Sequence, residues 1–171
     1  MGTTPTGIER YFGEEEIIVS KTDRSGRITY ANDVFLKIAG YREAEVVGQP
    51  HSIIRHPDMP RGVFKLLWDT IQSGKEIFAY VVNMAKNGDH YWVFAHVTPT
   101  FGPAGEIVGY HSSRRWPSRT ALDKVRPLYD RLLAAERREQ SKADQISAST
   151  SILTSMLAER ALAYDEFVFS L

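Results

Sequence analysis

Arg55, His56 and Asp58 fall within four residues of one another, between the apolar pair Ile53-Ile54 and the prolines Pro57 and Pro60. A guanidinium presents a planar fork of donors that suits a pyrophosphate or the carbonyl edge of a ring. The aspartate can orient that fork or accept from a ring N–H, and the imidazole can donate to a ligand or cap nearby backbone. Two readings of the cluster are open. It is one wall of a ligand pocket, or it is a solvated loop whose internal ion pair contributes little. Asn32 and Trp68 are the other candidates. Asn32 stands where a helix N-cap is expected, so capping and ligand contact compete for its carboxamide. Trp68 sits at helical spacing with Phe64, Leu67 and Ile71, which is also how a core residue would sit.

Several other chemistries are excluded. The chain of 171 residues contains no cysteine, so disulfides, thiolate nucleophiles and cysteine-held metals are absent. Its five histidines include no pair at i, i+4, and no metal site is expected. No nucleophile–base pair or phosphate loop appears either, so an enzyme is not expected. The 21 basic and 21 acidic side chains cancel, which gives no broad footprint for nucleic acid. No apolar run reaches the roughly 18 residues of a membrane span. Met1-Gly2-Thr3-Thr4-Pro5 lacks the regions of a signal peptide and makes a poor myristoylation signal. The expectation is a cytoplasmic protein without membrane insertion.

The candidate residues must be positioned by short elements. Ile17 to Thr22 and Arg27 to Ala31 read as strands joined by the turn Asp23-Arg24-Ser25-Gly26. Short helical pieces then run over 33–39, 43–47 and 51–56. A longer helix starts at Pro60 and ends at Gly74. Glu76 to Lys86 pairs with Tyr91 to Pro99 across Asn87-Gly88, and a last strand begins at Ile107. Two strands, short helices and three strands predict an α+β fold, a five-stranded antiparallel sheet with helices on one face. Residues 1–13 are expected as a flexible cap, 14–118 as the folded domain and 119–171 as an extension of two helices joined by a polar hinge at 140–151.

Asn32-Asp33, Gly40-Tyr41, Gly48-Gln49-Pro50, the string Arg55-His56-Pro57-Asp58-Met59-Pro60 and Lys86-Asn87-Gly88-Asp89-His90-Tyr91-Trp92 resemble a PAS domain. More narrowly, they resemble the sensor domain of bacterial aerotaxis receptors. The resemblance implies a PAS fold and a non-covalently bound FAD whose redox or oxygen-linked state is relayed through protein contacts. It implies Asn32, Arg55, His56 and Asp58 as flavin-binding residues, with Trp68 matching an aromatic of the following helix. One departure stands out: receptors of this type carry a tryptophan at the start of the third strand, where this chain reads Glu76-Ile77-Phe78. Light-sensing PAS domains bond a cysteine to flavin, so that adduct is excluded here. Two alternatives keep the fold: a haem sensor with His56 on the iron, or an adaptor without a cofactor.

The strand over 91–98 carries Tyr91, Val93, Ala95 and Val97 on one face. If that face meets the helices, the small side chains leave room for a flat ligand, unless Phe64 and Trp68 fill it. Trp92 and Phe94 then lie on the outer face and need cover from the N-terminal segment, the C-terminal helices or a second subunit. Residues 119–142 sum to +3 and residues 143–171 to −3, so the two parts of the extension can pair within or between chains. The expected partners are a chemoreceptor, a histidine kinase or another signalling protein, and a second copy in a homodimer.

Overall fold

The computed structural model describes residues 3–171; the reading of Met1-Gly2 lies outside them. Five strands run antiparallel: β1 Ile18–Asp23, β2 Ile28–Ala31, β3 Ile77–Met84, β4 His90–Phe101 and β5 Ile107–Arg115. Their order across the sheet is β2-β1-β5-β4-β3. Asn87-Gly88 makes the turn that sets the β3–β4 register, with Ala79 opposite Ala95 and Val81 opposite Val93. Between β2 and β3 lie helices α1 Asp33–Ala39 and α2 Glu43–Val46, a 3-10 turn His51–Ile54, and helix α3 Arg61–Gln72. The α1 helix stops where Gly40 takes φ 72°, a conformation that a side chain opposes.

The α+β fold and the five-stranded sheet are therefore as expected, and the extension differs. It contains three helices, α4 Arg119–Glu136, α5 Lys142–Glu159 and α6 Tyr164–Phe169. The segment read as a polar hinge is mostly the first half of α5. Its Ser, Ala and Thr residues lack an apolar period, and their small size lets α5 approach α3 closely. Ser141 caps α5 by accepting from the Asp144 N–H. Pro127 lies inside α4 without ending it.

The extension covers the outer sheet face. Tyr129 of α4 donates to the Tyr80 carbonyl at 2.5 Å, and its ring lies 6.0 Å from that of Trp92. Phe169 of α6 meets Phe78 at 4.7 Å and Phe94 at 6.0 Å. Of the three alternative covers for the Trp92 and Phe94 face, the chain's own C-terminal helices lie there.

The N-terminal segment is docked as well. His90 N–H donates to the Ile8 carbonyl at 2.9 Å, and Arg10 N–H to the His90 carbonyl at 2.7 Å. Asp89 ties this segment down, accepting from Thr6 Oγ1 at 2.6 Å, Arg10 Nε at 2.9 Å and Asn87 Nδ2 at 2.8 Å. Those three bonds, from Thr6 first, then Asn87 and Arg10, hold its carboxyl at about 2, below its ordinary 3.8. A depressed folded-state value stabilises docking above the unfolded value, and the stabilisation is lost as pH falls through about 2. Residues 3–12 should therefore stay protected from amide exchange at pH 5 and lose protection in strong acid. Asp89→Ala should release them at neutral pH, and unchanged protection in that variant would count against the tether.

Candidate functional site

A cavity of about 300 Å³ lies between the inner sheet face and the wall formed by the 3-10 turn and α3. Its walls follow from the period of each element. Val81 and Asn83 of β3, Ala95 and Val97 of β4, and Tyr110, Ser112 and Arg114 of β5 point inward at every second residue. Phe64, Leu67, Trp68 and Ile71 face them from α3 at a helical period. Val97 shares a packed cluster with Leu67 and Ile71 of α3, yet a cavity persists between Ala95 and the α3 side chains, so Phe64 and Trp68 do not fill the space. Trp68 instead stands edge-on to Tyr110 at 5.5 Å and 90°. Its indole also lies 3.0 Å from where a Cβ at Gly26 would be, and Gly26 holds φ +81°, so the β1–β2 turn abuts the ring because its residue is glycine.

The main polar feature of the cavity is Arg114. It is 2% exposed, and no salt bridge joins it to a carboxylate among the described residues. Its Nη2 donates to Ser20 Oγ and, at 3.1 Å, to His51 Nε2, while Nε donates to Ser112 Oγ at 3.0 Å. Its Nη1 has no partner among the described residues. Burial lowers its pKa to about 10, which leaves it charged at neutral pH. His51 accepts through Nε2 and is neutral there. Burial first, and the Arg114 charge second, bring its pKa down to about 3. A buried cation held only by neutral groups costs several kcal/mol. An anion or a polarised carbonyl in the cavity would supply the missing acceptor. Asn83, 4% exposed, adds a carboxamide to the same wall.

The five residues singled out in the sequence divide into two sets. Arg55 and Trp68 line the cavity. The Arg55 guanidinium stacks over the Phe64 ring at 4.2 Å, and burial lowers its pKa. Asn32, His56 and Asp58 are not part of the lining. Asn32 Oδ1 accepts from the Phe35 and Val19 N–H groups, each at 3.0 Å, and Nδ2 donates to the Ile17 carbonyl at 2.8 Å. The N-cap role therefore occupies its carboxamide, which also fastens β1 to α1. His56 is buried, its Nδ1 accepts the Asp58 N–H at 3.1 Å, and its ring packs 5.7 Å from that of His90. Its Nε2 has no partner among the described residues. Asp58 is mostly exposed and lies 3.5 Å from Arg137. The histidine that does line the cavity is His51, and its inner nitrogen is engaged by Arg114 and Ser20. No group of metal-binding side chains occurs among the described residues.

Sequence reasoning missed Arg114, His51, Asn83 and Ser20. A signal existed for the first: once β5 runs from Ile107, Tyr110, Ser112 and Arg114 share one face, and an arginine beside two polar neighbours on an inward face is unusual.

An antiparallel five-stranded sheet in the order β2-β1-β5-β4-β3, walled by helices around an inner cavity, defines the fold class of this chain. The family model described as the PAS fold matches residues 28–114, half of the chain. The chain belongs to the PAS family. It is 41% identical over 121 residues to the aerotaxis receptor of Escherichia coli (strain K12), which covers 71% of this chain and 24% of that protein. It is 28% identical over 102 residues to the nitrogen fixation regulatory protein of Klebsiella pneumoniae, covering 60% of this chain and 21% of that protein. The chain thus spans about a quarter or less of these relatives. Among solved structures, the dark structure of the blue-light photoreceptor Aureochrome1 LOV matches with a TM-score of 0.55 and 24% identity, covering 60% of this chain and 77% of that one. That likeness supports the fold. No helix among the described residues is long and apolar enough to cross a membrane.

Proposed function

We propose that this PAS domain is a sensor module that holds a flavin without a covalent bond in the cavity beside Arg114. The observation that carries this reading is the buried guanidinium with one orphaned N–H and no carboxylate partner. The flavin family fits the remaining walls. Val81, Ala95 and Val97 offer a flat apolar surface, and Asn83 offers a donor and an acceptor to a pyrimidine-like edge. A cavity of about 300 Å³ is at the small end for a drug-sized ligand, so it takes a ring system and leaves any nucleotide portion outside. FAD is the form we assign, as implied by the motifs that resemble aerotaxis sensor domains. Such a group supplies reversible electron transfer, and added electrons increase the negative charge that Arg114 favours.

Arg114, Asn83, Arg55 and Trp68 contact the ligand in this reading. Asn32, His56 and Asp58 support it from behind the wall, through the β1–α1 junction and the loop leading into α3. The readout is by protein–protein contact with a chemoreceptor, a histidine kinase or another signalling protein, in the cytoplasm and without an enzymatic step. A homodimer belongs to the same reading, and sedimentation equilibrium of the full chain tests it; a monomer at tens of micromolar would remove it. The experiment for the cofactor is addition of FAD, FMN and haem separately to purified protein, followed by gel filtration. FAD should co-elute with the protein with quenched flavin fluorescence. Retention of haem alone would replace the reading, and retention of none would favour an adaptor without a cofactor.

A further inference from the structure

A buried polar cluster of the C-terminal extension holds the start of α3, the helix that walls the cavity. Arg61 N–H, at the start of α3, donates to Glu136 Oε1 at 2.7 Å. The next N–H, of Gly62, reaches the same oxygen at 3.3 Å and Ser149 Oγ at 3.1 Å. Glu136 is the last residue of α4 and 5% exposed, and Ser149 lies in mid-α5 at 0%. A buried carboxylate against the positive end of a 12-residue helix is stabilised there and is costly anywhere drier and unpaired. The contact is also sterically exclusive. A Cβ at Gly62 would meet Ser149 and lie 2.9 Å from the Thr150 backbone nitrogen, so α3 and α5 touch only because residue 62 is glycine.

The helix held in this way carries Phe64, Leu67, Trp68 and Ile71 into the cavity. Arg55, stacked on Phe64, feels the opposing charges of Glu136 and Arg61. On the other side of the sheet, α4 and α6 cover Trp92 and Phe94. The extension therefore packs on the cavity from both sides, fastened through Tyr129 to β3 and through Glu136 and Ser149 to the start of α3.

We propose that Glu136 and Ser149 form a latch that couples filling of the cavity to docking of α5. Glu136 is a positioning residue for α3. Filling the cavity supplies the contacts that the inner face of α3 lacks, fixes that helix and tightens the latch. Opening the latch, by reciprocity, weakens ligand binding by the same factor. The ligand arm of this coupling rests on the flavin reading; the latch itself does not.

The test is amide hydrogen exchange on the full chain, in wild type, Glu136→Gln and Glu136→Ala, with and without FAD. Without FAD, Glu136→Ala should speed exchange across residues 142–159 and at Arg61 and Gly62 at least tenfold, with β4 and β5 unchanged. Glu136→Gln keeps an acceptor oxygen and should fall between. FAD should slow exchange in α5 several-fold in wild type, and much less in Glu136→Ala, which should bind FAD correspondingly more weakly. Flavin absorbance is read in parallel. FAD that binds without protecting α5 overturns the coupling alone, whereas FAD that fails to bind overturns the flavin reading. In that second case Ala95→Leu, which fills the cavity from within, decides the coupling: it should slow α5 exchange when Glu136 is present and not when it is alanine. Unchanged α5 exchange in flavin-free Glu136→Ala overturns the latch itself.

Discussion

Replacing Arg114 by methionine is expected to abolish flavin retention and at the same time to make the flavin-free protein more stable. The two effects have one cause. In the folded chain the guanidinium is desolvated, its Nη1 is unpaired, and its other donors meet only Ser20, Ser112 and His51. An apolar side chain of similar length removes that penalty, and replacing buried charge by packed apolar groups is often stabilising by about 1–4 kcal/mol. The Tm should rise by roughly 2–4 °C per kcal/mol in a domain of this size. Ser20 Oγ and His51 Nε2 keep each other at 3.1 Å, so the substitution leaves few polar groups stranded. Affinity should move the opposite way. A charge-assisted hydrogen bond contributes about 1.5–3 kcal/mol, which is 10- to 100-fold or more in the dissociation constant. Thermal unfolding and FAD titration together check the pair of signs. A variant that loses stability and keeps FAD would identify Arg114 as a structural residue.

The second large effect concerns space rather than charge. Ala95 is 3% exposed on β4, opposite Ala79, and lines the cavity. Ala95→Leu places three further carbons where the ring system would lie. Overfilling a packed core costs about 1–3 kcal/mol, but filling a genuine void is neutral or favourable. The variant should therefore fold with an unchanged or higher Tm and retain no measurable FAD. A Tm lowered by several degrees would show that the site is already filled by protein. Unaltered FAD binding would place the ligand elsewhere.

These two residues show what the sequence made legible. The alternation in 91–98 exposed the small side chains that make room, and the Asn87-Gly88 turn fixed the strand pairing that lines them up. Asn32 was readable both as an N-cap and as a ligand contact, and the cluster at 55–58 both as a pocket wall and as a solvated loop, with no local signal to choose between them. A carboxamide has the same sequence signature whether it bonds the Val19 and Phe35 amides or a ligand. Arg114 stayed hidden because a strand has two faces, and only the packing of α3 says which one is inside. The docking of residues 3–12 depends on Asp89, about 80 positions away, and no local pattern announces it. The helix α5 was read as a hinge because serines and alanines carry little hydrophobic period. In the fold that smallness is what allows Ser149 and Gly62 to meet.

The flavin proposal draws on two separate arguments, the sequence shared with the aerotaxis receptor and the unpaired donor of Arg114, which calls for an acceptor in the cavity. The absence of cysteine removes the adduct route, so a flavin bound here would report through charge and hydrogen bonding at its ring. Arg114, Asn83 and His51 are the groups placed to respond.

The most direct measurement of this account is the visible absorption spectrum of the purified protein after addition of FAD and removal of unbound ligand. The account predicts the structured visible band of protein-bound oxidised flavin, bleached reversibly by dithionite, in wild type but not in Arg114→Met. A protein that emerges colourless, or one that carries flavin equally well without Arg114, would contradict it.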